Sequence, residues 1–160
     1  EGYKKIQKND GLNYGLGVTL TPVKGLQIRL YGGLNECGEE GKKDITNFAA
    51  FAGYKCGAFS VGAEYNSMWN AAYADNTDQY GYSIFASAKL SKRAELYARF
   101  DDLCSDDDWN IAKDEQAALL GAQFKLGKYV KVAPNFRMAM PKADGAENVY
   151  SAYISCYFGL

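Results

Sequence analysis

The sequence predicts an all-β antiparallel fold from three observations. Apolar and polar residues alternate with period two over long runs. Short turns and longer loops separate these runs in strict alternation. Aromatics at apolar positions gather near the ends of the runs, with Ala, Val, Leu and Ile between them. Period two marks strands with unlike faces, and the short turns join neighbours into antiparallel pairs. The third observation concerns the environment. Tyr and Trp favour the headgroup zone of a bilayer and aliphatic side chains its hydrocarbon, so the expected fold is an antiparallel transmembrane β-barrel.

Residues 1–11 are polar and lysine-rich and end in an Asn-Asp-Gly turn signal, so they read as a loop, or as the stub of a strand over Tyr3–Gln7. From Leu12, the residues Leu12, Tyr14, Leu16, Val18 and Leu20 face one way and Asn13, Gly15, Gly17 and Thr19 the other. After a turn at Pro22, Leu26, Ile28 and Leu30 alternate with Gln27, Arg29 and Tyr31. A charged loop, 35–44, leads to Phe48, Ala50, Ala52 and Tyr54, opposite Asn47, Ala49, Phe51, Gly53 and Lys55. A tight turn at Gly57 returns the chain through Phe59, Val61, Ala63 and Tyr65, against Ser60, Gly62, Glu64 and Asn66.

After a loop at 70–78, Gln79–Asp101 gives the clearest hairpin. Tyr80, Tyr82, Ile84, Ala86 and Ala88 share a face, and Phe85 is the one large intruder among Gln79, Gly81, Ser83, Ser87 and Lys89. Beyond Ser91-Lys92-Arg93, Ala94, Leu96, Ala98 and Phe100 alternate with Glu95, Tyr97, Arg99 and Asp101. A third loop spans 103–114. Two more runs follow, 117–126 and 130–138, joined at Gly127. Pro134 inside the second suggests a bulge or an edge. After a loop at 141–148, Tyr150, Ala152, Ile154, Cys156 and Phe158 close the chain.

The pattern gives about nine strands. In bacterial barrels short turns are periplasmic and long loops extracellular, and single chains have even strand numbers. The last strand then runs inward, and the strand at Leu12 starts outside. The expectation is one transmembrane domain over 1–160, incomplete at its N-terminus and forming the C-terminal part of a larger barrel.

Composition excludes several classes. Eighteen Lys and Arg balance nineteen Asp and Glu, so the basic footprint of a nucleic-acid binder is missing. No apolar run reaches the roughly 18 residues of a membrane-spanning helix, which a barrel does not need. There is no His, and the four Cys are far apart, which excludes a Cys/His zinc site and a His-based triad. Asp106–Asp108 lacks the spacing of a calcium loop and reads as a solvated acidic loop. No paired carboxylates, nucleophile elbow or phosphate loop is present. No catalytic, cofactor-binding or metal residues are therefore expected, and no enzymatic activity. Cys37 and Cys104 fall in outer loops and are candidates to pair, whereas Cys56 and Cys156 read as small apolar residues near the inner end.

The polar face is rich in Gly, Ser, Asn and Gln, as suits a water-filled lumen. Its candidate pore-lining residues are Arg29, Glu64, Glu95, Arg99, Asp101 and Arg137, with Lys55, Lys89, Lys125 and Lys131 toward the inner rim. A basic excess on a pore wall favours anions. Glu95, Arg99 and Asp101 share one strand face, open to an ion-pair ladder, and Arg99 is the first residue to test.

The phrases LNYGLGVTLTPVKGLQIRLYG, FAGYKCGAFSVGAEYN, GYSIFASAKLSKRAELYARFDDL, GKYVKVAPNFRMAMP and VYSAYISCYF resemble the C-terminal half of Gram-negative porins. The resemblance is to the phosphate-selective porin O and P type, as in Bacteroidetes-like outer membranes, and spans most of 11–160. It implies a barrel of about sixteen strands, often trimeric, passing small hydrophilic solutes across the outer membrane. Outer-membrane lipid and lipopolysaccharide are then its surroundings, and a homotrimer or larger membrane complex its assembly. Two departures are the Gly159-Leu160 after the terminal aromatic Phe158 and the lack of a long constriction loop. Two other readings remain open: a structural barrel anchoring a surface protein complex, and a soluble ligand-binding β-barrel with its apolar face inward.

Overall fold

A computed structural model of the chain describes residues 11–159; the Tyr3–Gln7 stub lies outside them. Nine strands follow in order: β1 (Asn13–Leu20), β2 (Leu26–Asn35), β3 (Ile45–Cys56), β4 (Phe59–Trp69), β5 (Gln79–Lys89), β6 (Ala94–Ser105), β7 (Glu115–Lys125), β8 (Val130–Pro141) and β9 (Val149–Phe158). They form one antiparallel sheet in sequence order, with β1 and β9 at its open edges. The expected nine-stranded meander is present, and the sheet is not closed. Connections 21–25, 57–58, 90–93 and 126–129 lie at one end, and 36–44, 70–78, 106–114 and 142–148 at the other. The tightest, 57–58, joins the paired residues Cys56 and Phe59, with Gly57 at φ +57°. That left-handed turn matches the twist of the flanking strands and is open to glycine without steric cost.

Strands run further toward the long-loop end than the alternation suggested. β6 continues through Cys104 to Ser105 because its neighbours also continue, pairing Gln79 with Ser105 and Leu103 with Glu115. Pro134 makes neither a bulge nor an edge. The pairs Gly121–Asn135 and Phe124–Val132 share one register, and the β7–β8 ladder lapses between them, where proline has no N–H to donate. On its other side Pro134 stays paired with Ile154.

Burial is inverted relative to a soluble sandwich. Among the described residues, the only buried apolar side chains are Cys37 and Ile45. The period-two apolar face is exposed: Leu16 by 75%, Ile154 by 73%, Phe59 by 67% and Leu120 by 62%. Ser83 and Asn135, on the polar face, are buried. The sheet curls toward that polar face, because one cavity there is lined from Tyr31 on β2 to Ala117 on β7. Five strand spacings of about 4.8 Å would put those residues some 24 Å apart on a flat sheet.

A concave face leaves less room per residue, and glycine supplies it. A Cβ on Gly62 would lie 2.5 Å from the Phe85 ring, one on Gly53 2.6 Å from Phe51, and one on Gly121 2.5 Å from Tyr97. Each ring lies across the sheet where a neighbour has no side chain, so the bare backbone is covered. Phe85, the intruder of the sequence pattern, is accommodated because its cross-strand partner is Gly62.

Candidate functional site

The concave polar face carries the residues singled out from sequence. One register row crosses the sheet as Thr19, Arg29, Phe51, Glu64, Ser83, Asp101 and Ala117. Arg29 and Glu64 flank Phe51, and together with Tyr31, Ala49 and Asn66 they line a cavity of about 190 Å³. Asn66 Nδ2 donates to Glu64 Oε1 at 2.8 Å. Arg29 makes no ion pair among the described residues.

Arg99 is differently placed. Its Nε donates to both Asp101 carboxylate oxygens at 2.8 Å, and its Nη2 to Ser83 Oγ at 3.2 Å. Ser83 in turn donates to Asp101. Glu95 does not join a ladder with these two; it accepts from Ser87 Oγ at 2.7 Å. Arg137 donates from Nε to Asn135 Oδ1 at 3.0 Å and stacks over Tyr153, 4.7 Å from the ring centroid. The structure therefore brings Arg29 with Glu64, and Arg99 with Asp101, and leaves Glu95 and Arg137 apart from both pairs.

A second cavity, of about 390 Å³, continues toward the long-loop end and shares Tyr31, Ala49 and Asn66 with the first. Asn47, Gln79, Ser83, Asp101 and Glu115 add polar lining. Among the described residues, the buried Oδ1 of Asn47, packed over Gly33, has no hydrogen-bond partner. At the short-turn end, Lys89, Lys92, Arg93 and Lys125 surround a cavity of about 350 Å³ that Glu95 and Gln123 complete. None of these four cations makes an ion pair among the described residues. Four cations beside one carboxylate make this end electropositive.

Sequence reasoning missed a polar cluster on the apolar face. Asp102 has the parity of Phe100, yet its side chain is buried and bonded from several sides. It accepts from Tyr82 Oη at 2.8 Å and Gln116 Nε2 at 3.1 Å, and pairs with Lys142 across β7. Lys142 Nζ also lies 2.8 Å from Cys104 Sγ. Burial opposes the charge on Lys142, but its hydrogen bonds to Asp102 and Cys104 outweigh burial and hold its pKa above that of an ordinary lysine. A carboxylate two residues after Phe100 on the apolar parity was the available signal.

The long-loop end is bonded together. Trp109 Nε1 and the Asp106 N–H both donate to Asp78 O, at 2.6 and 2.8 Å, and buried Asp114 accepts from Ser105 N and Oγ. Asn35 Nδ2 donates to Tyr73 Oη at 3.0 Å, and Lys43 pairs with Asp75 at 3.2 Å. Among the described residues, no three acidic, Cys or His groups converge on a metal-holding arrangement. Cys56, Cys104 and Cys156 form no disulfide. Cys104, expected in a loop, ends β6 and faces Lys142 instead of Cys37.

Fold and face chemistry thus define an all-β protein with a nine-stranded antiparallel sheet, apolar outside and polar within its curve. Comparison with protein-family models, curated proteins and solved structures returns no match.

Proposed function

We propose that this chain is part of an outer-membrane porin through which small hydrophilic solutes diffuse passively. The observation that carries the reading is the inverted burial. Large apolar side chains cover the exposed convex face, while serine, asparagine and paired charges line the concave one. A soluble ligand-binding barrel places its apolar residues inward, and in water this convex face would be a large uncovered apolar surface. In a bilayer the same face is solvated by lipid, and the concave face becomes the wall of an aqueous lumen.

Closure needs further strands between the edges β1 and β9, since an unpaired strand edge is not tolerated in hydrocarbon. A barrel of about sixteen strands, alone or as a homotrimer, meets that need. Lipopolysaccharide surrounds its outer rim. The cations Lys89, Lys92, Arg93 and Lys125 at the short-turn mouth, with Arg29 further in and none of the five in an ion pair among the described residues, support a mild anion preference.

A second reading has its own support. The bonded layer formed by loops 36–44, 70–78 and 106–114 is a preformed surface, suited to a structural barrel that anchors a protein complex. Planar-bilayer recording separates the two. The porin reading expects stepwise conductance with a reversal potential displaced toward the anion. A folded, inserted barrel with no conductance refutes it.

A further inference from the structure

We infer that the concave groove holds a neutral oligosaccharide, with one pyranose ring lying on a floor formed by Phe51 and Phe85. This deepens the porin reading by naming a solute class, and it rests on that reading only for access to the groove.

The floor comes first. The Phe51 and Phe85 rings are 10° from parallel with centroids 6.1 Å apart. Both reach over Gly62, where a Cβ would lie 2.5 Å from Phe85 and 3.3 Å from Phe51. Packed over bare backbone, the two rings brace one another before any ligand arrives, and Phe51 lines the 190 Å³ cavity. A flat apolar surface held in place suits a ligand that is itself flat and apolar on one side.

The rim narrows the class. Arg29 offers only donors, Glu64 only acceptors and Asn66 both, and all three share the 190 Å³ cavity with Phe51. A pyranose presents C–H bonds on its faces and, around its edge, hydroxyls that each donate and accept. Floor and rim match those two features together. Inorganic phosphate would gain nothing from the floor and would meet the Glu64 carboxylate.

The groove is also longer than one ring. Tyr31, Ala49 and Asn66 pass into the 390 Å³ cavity, which Gln79, Ser83 and Glu115 also line. A linear oligosaccharide uses that continuation and a monosaccharide does not.

The test titrates cellotriose into the closed barrel that contains this chain, folded in detergent, by calorimetry and by saturation-transfer NMR from protein aromatic protons. The expected result is weak saturable binding, with transfer strongest at the sugar ring C–H positions and no competition from inorganic phosphate. Phe51→Ala and Glu64→Gln should each weaken binding about tenfold or more. Glu64→Gln removes no packing, so it remains informative where Phe51→Ala fails to fold. In bilayers, cellotriose should reduce the single-channel current. Absence of binding to the wild-type chain, or binding unchanged in folded Glu64→Gln and Phe51→Ala, overturns the proposal. A conducting pore whose current ignores cellotriose also overturns it while leaving the porin reading standing. Binding by a non-conducting barrel upholds the site and refutes the pore.

Discussion

Leu120→Arg separates a membrane wall from a soluble sheet. Leu120 is the central residue of β7 (Glu115–Lys125), lies on the convex apolar face and is 62% exposed. The strand has 11 residues; at a rise of about 3.4 Å each and a tilt of about 45° it spans roughly 26 Å, against an apolar band of about 25 Å in barrels. Leu120 then sits at the bilayer midplane, where arginine on the lipid face costs about 2–4 kcal/mol. At about 1.4 kcal/mol per decade, that is a loss of roughly 30- to 700-fold in the folding constant. Tyr150→Arg, one residue into β9 at the long-loop rim, should cost only about 0–1 kcal/mol, because the penalty fades toward the interface. The assay is a urea titration of folding into phosphatidylcholine vesicles, followed by the emission of Trp69 and Trp109. On a water-facing sheet surface, by contrast, Leu120→Arg would shift stability by less than about 0.5 kcal/mol. Equal effects at the two positions, or a Leu120→Arg chain that folds in detergent-free buffer, refute the membrane assignment.

Neutralising Lys89, Lys92, Arg93 and Lys125 together should move the reversal potential in a salt gradient toward cations, and Arg29→Gln should move it further. The double variant Arg99→Gln/Asp101→Asn should have the smaller effect, because it removes both charges of one ion pair. Gly62→Ala places a Cβ 2.5 Å from the Phe85 ring and should cost about 1–3 kcal/mol; a double-mutant cycle with Phe85→Leu should recover most of that in urea titrations. Lys142 has a raised pKa in the folded chain, so its contribution to stability is full below about pH 10.4 and falls as pH rises toward the folded value. The urea midpoint should therefore fall as pH rises above about 10.4, and Lys142→Met should flatten that fall while costing about 1–3 kcal/mol at neutral pH from stranding Asp102. With Cys104 outside any disulfide and held against Lys142, Cys104→Ser should leave gel mobility under non-reducing conditions unchanged.

The strands were legible because period two is a local signal: each run carries its own alternation, and the meander needs no long-range information. Strand ends were less so. At Asp102–Ser105 the alternation fails, and pairing continues only because β5 and β7 extend alongside, which no single run reveals. Within the candidate site, the row of Arg29, Glu64 and Asp101 depends on the registers of several hairpins, so sequence gave the face and not the neighbours. Phe85 looked like an exception because its explanation, Gly62, lies on another strand. Asp102 broke the apolar parity in plain view. Its partner Lys142 lies beyond β8, and only the folded sheet brings the two together.

Curvature links these features to selectivity. A sheet bent around a groove crowds its concave side chains, so that face accepts small residues such as Ala49, Gly81 and Ser83, or rings laid over glycine. The same crowding brings charges close enough to pair. Arg99 reaches Asp101 and Ser83 within hydrogen-bonding distance, so it contributes a fixed dipole more than a free cation. Arg29 pairs with Thr19, extends its guanidinium toward Gly17 and makes no ion pair among the described residues. The residue that sequence pattern ranked first for selectivity is therefore the better structural brace. On the proposed porin reading, the field a solute would meet is set by Arg29 and by the four cations of the short-turn mouth, and the Phe51–Phe85 floor between them would select among neutral shapes.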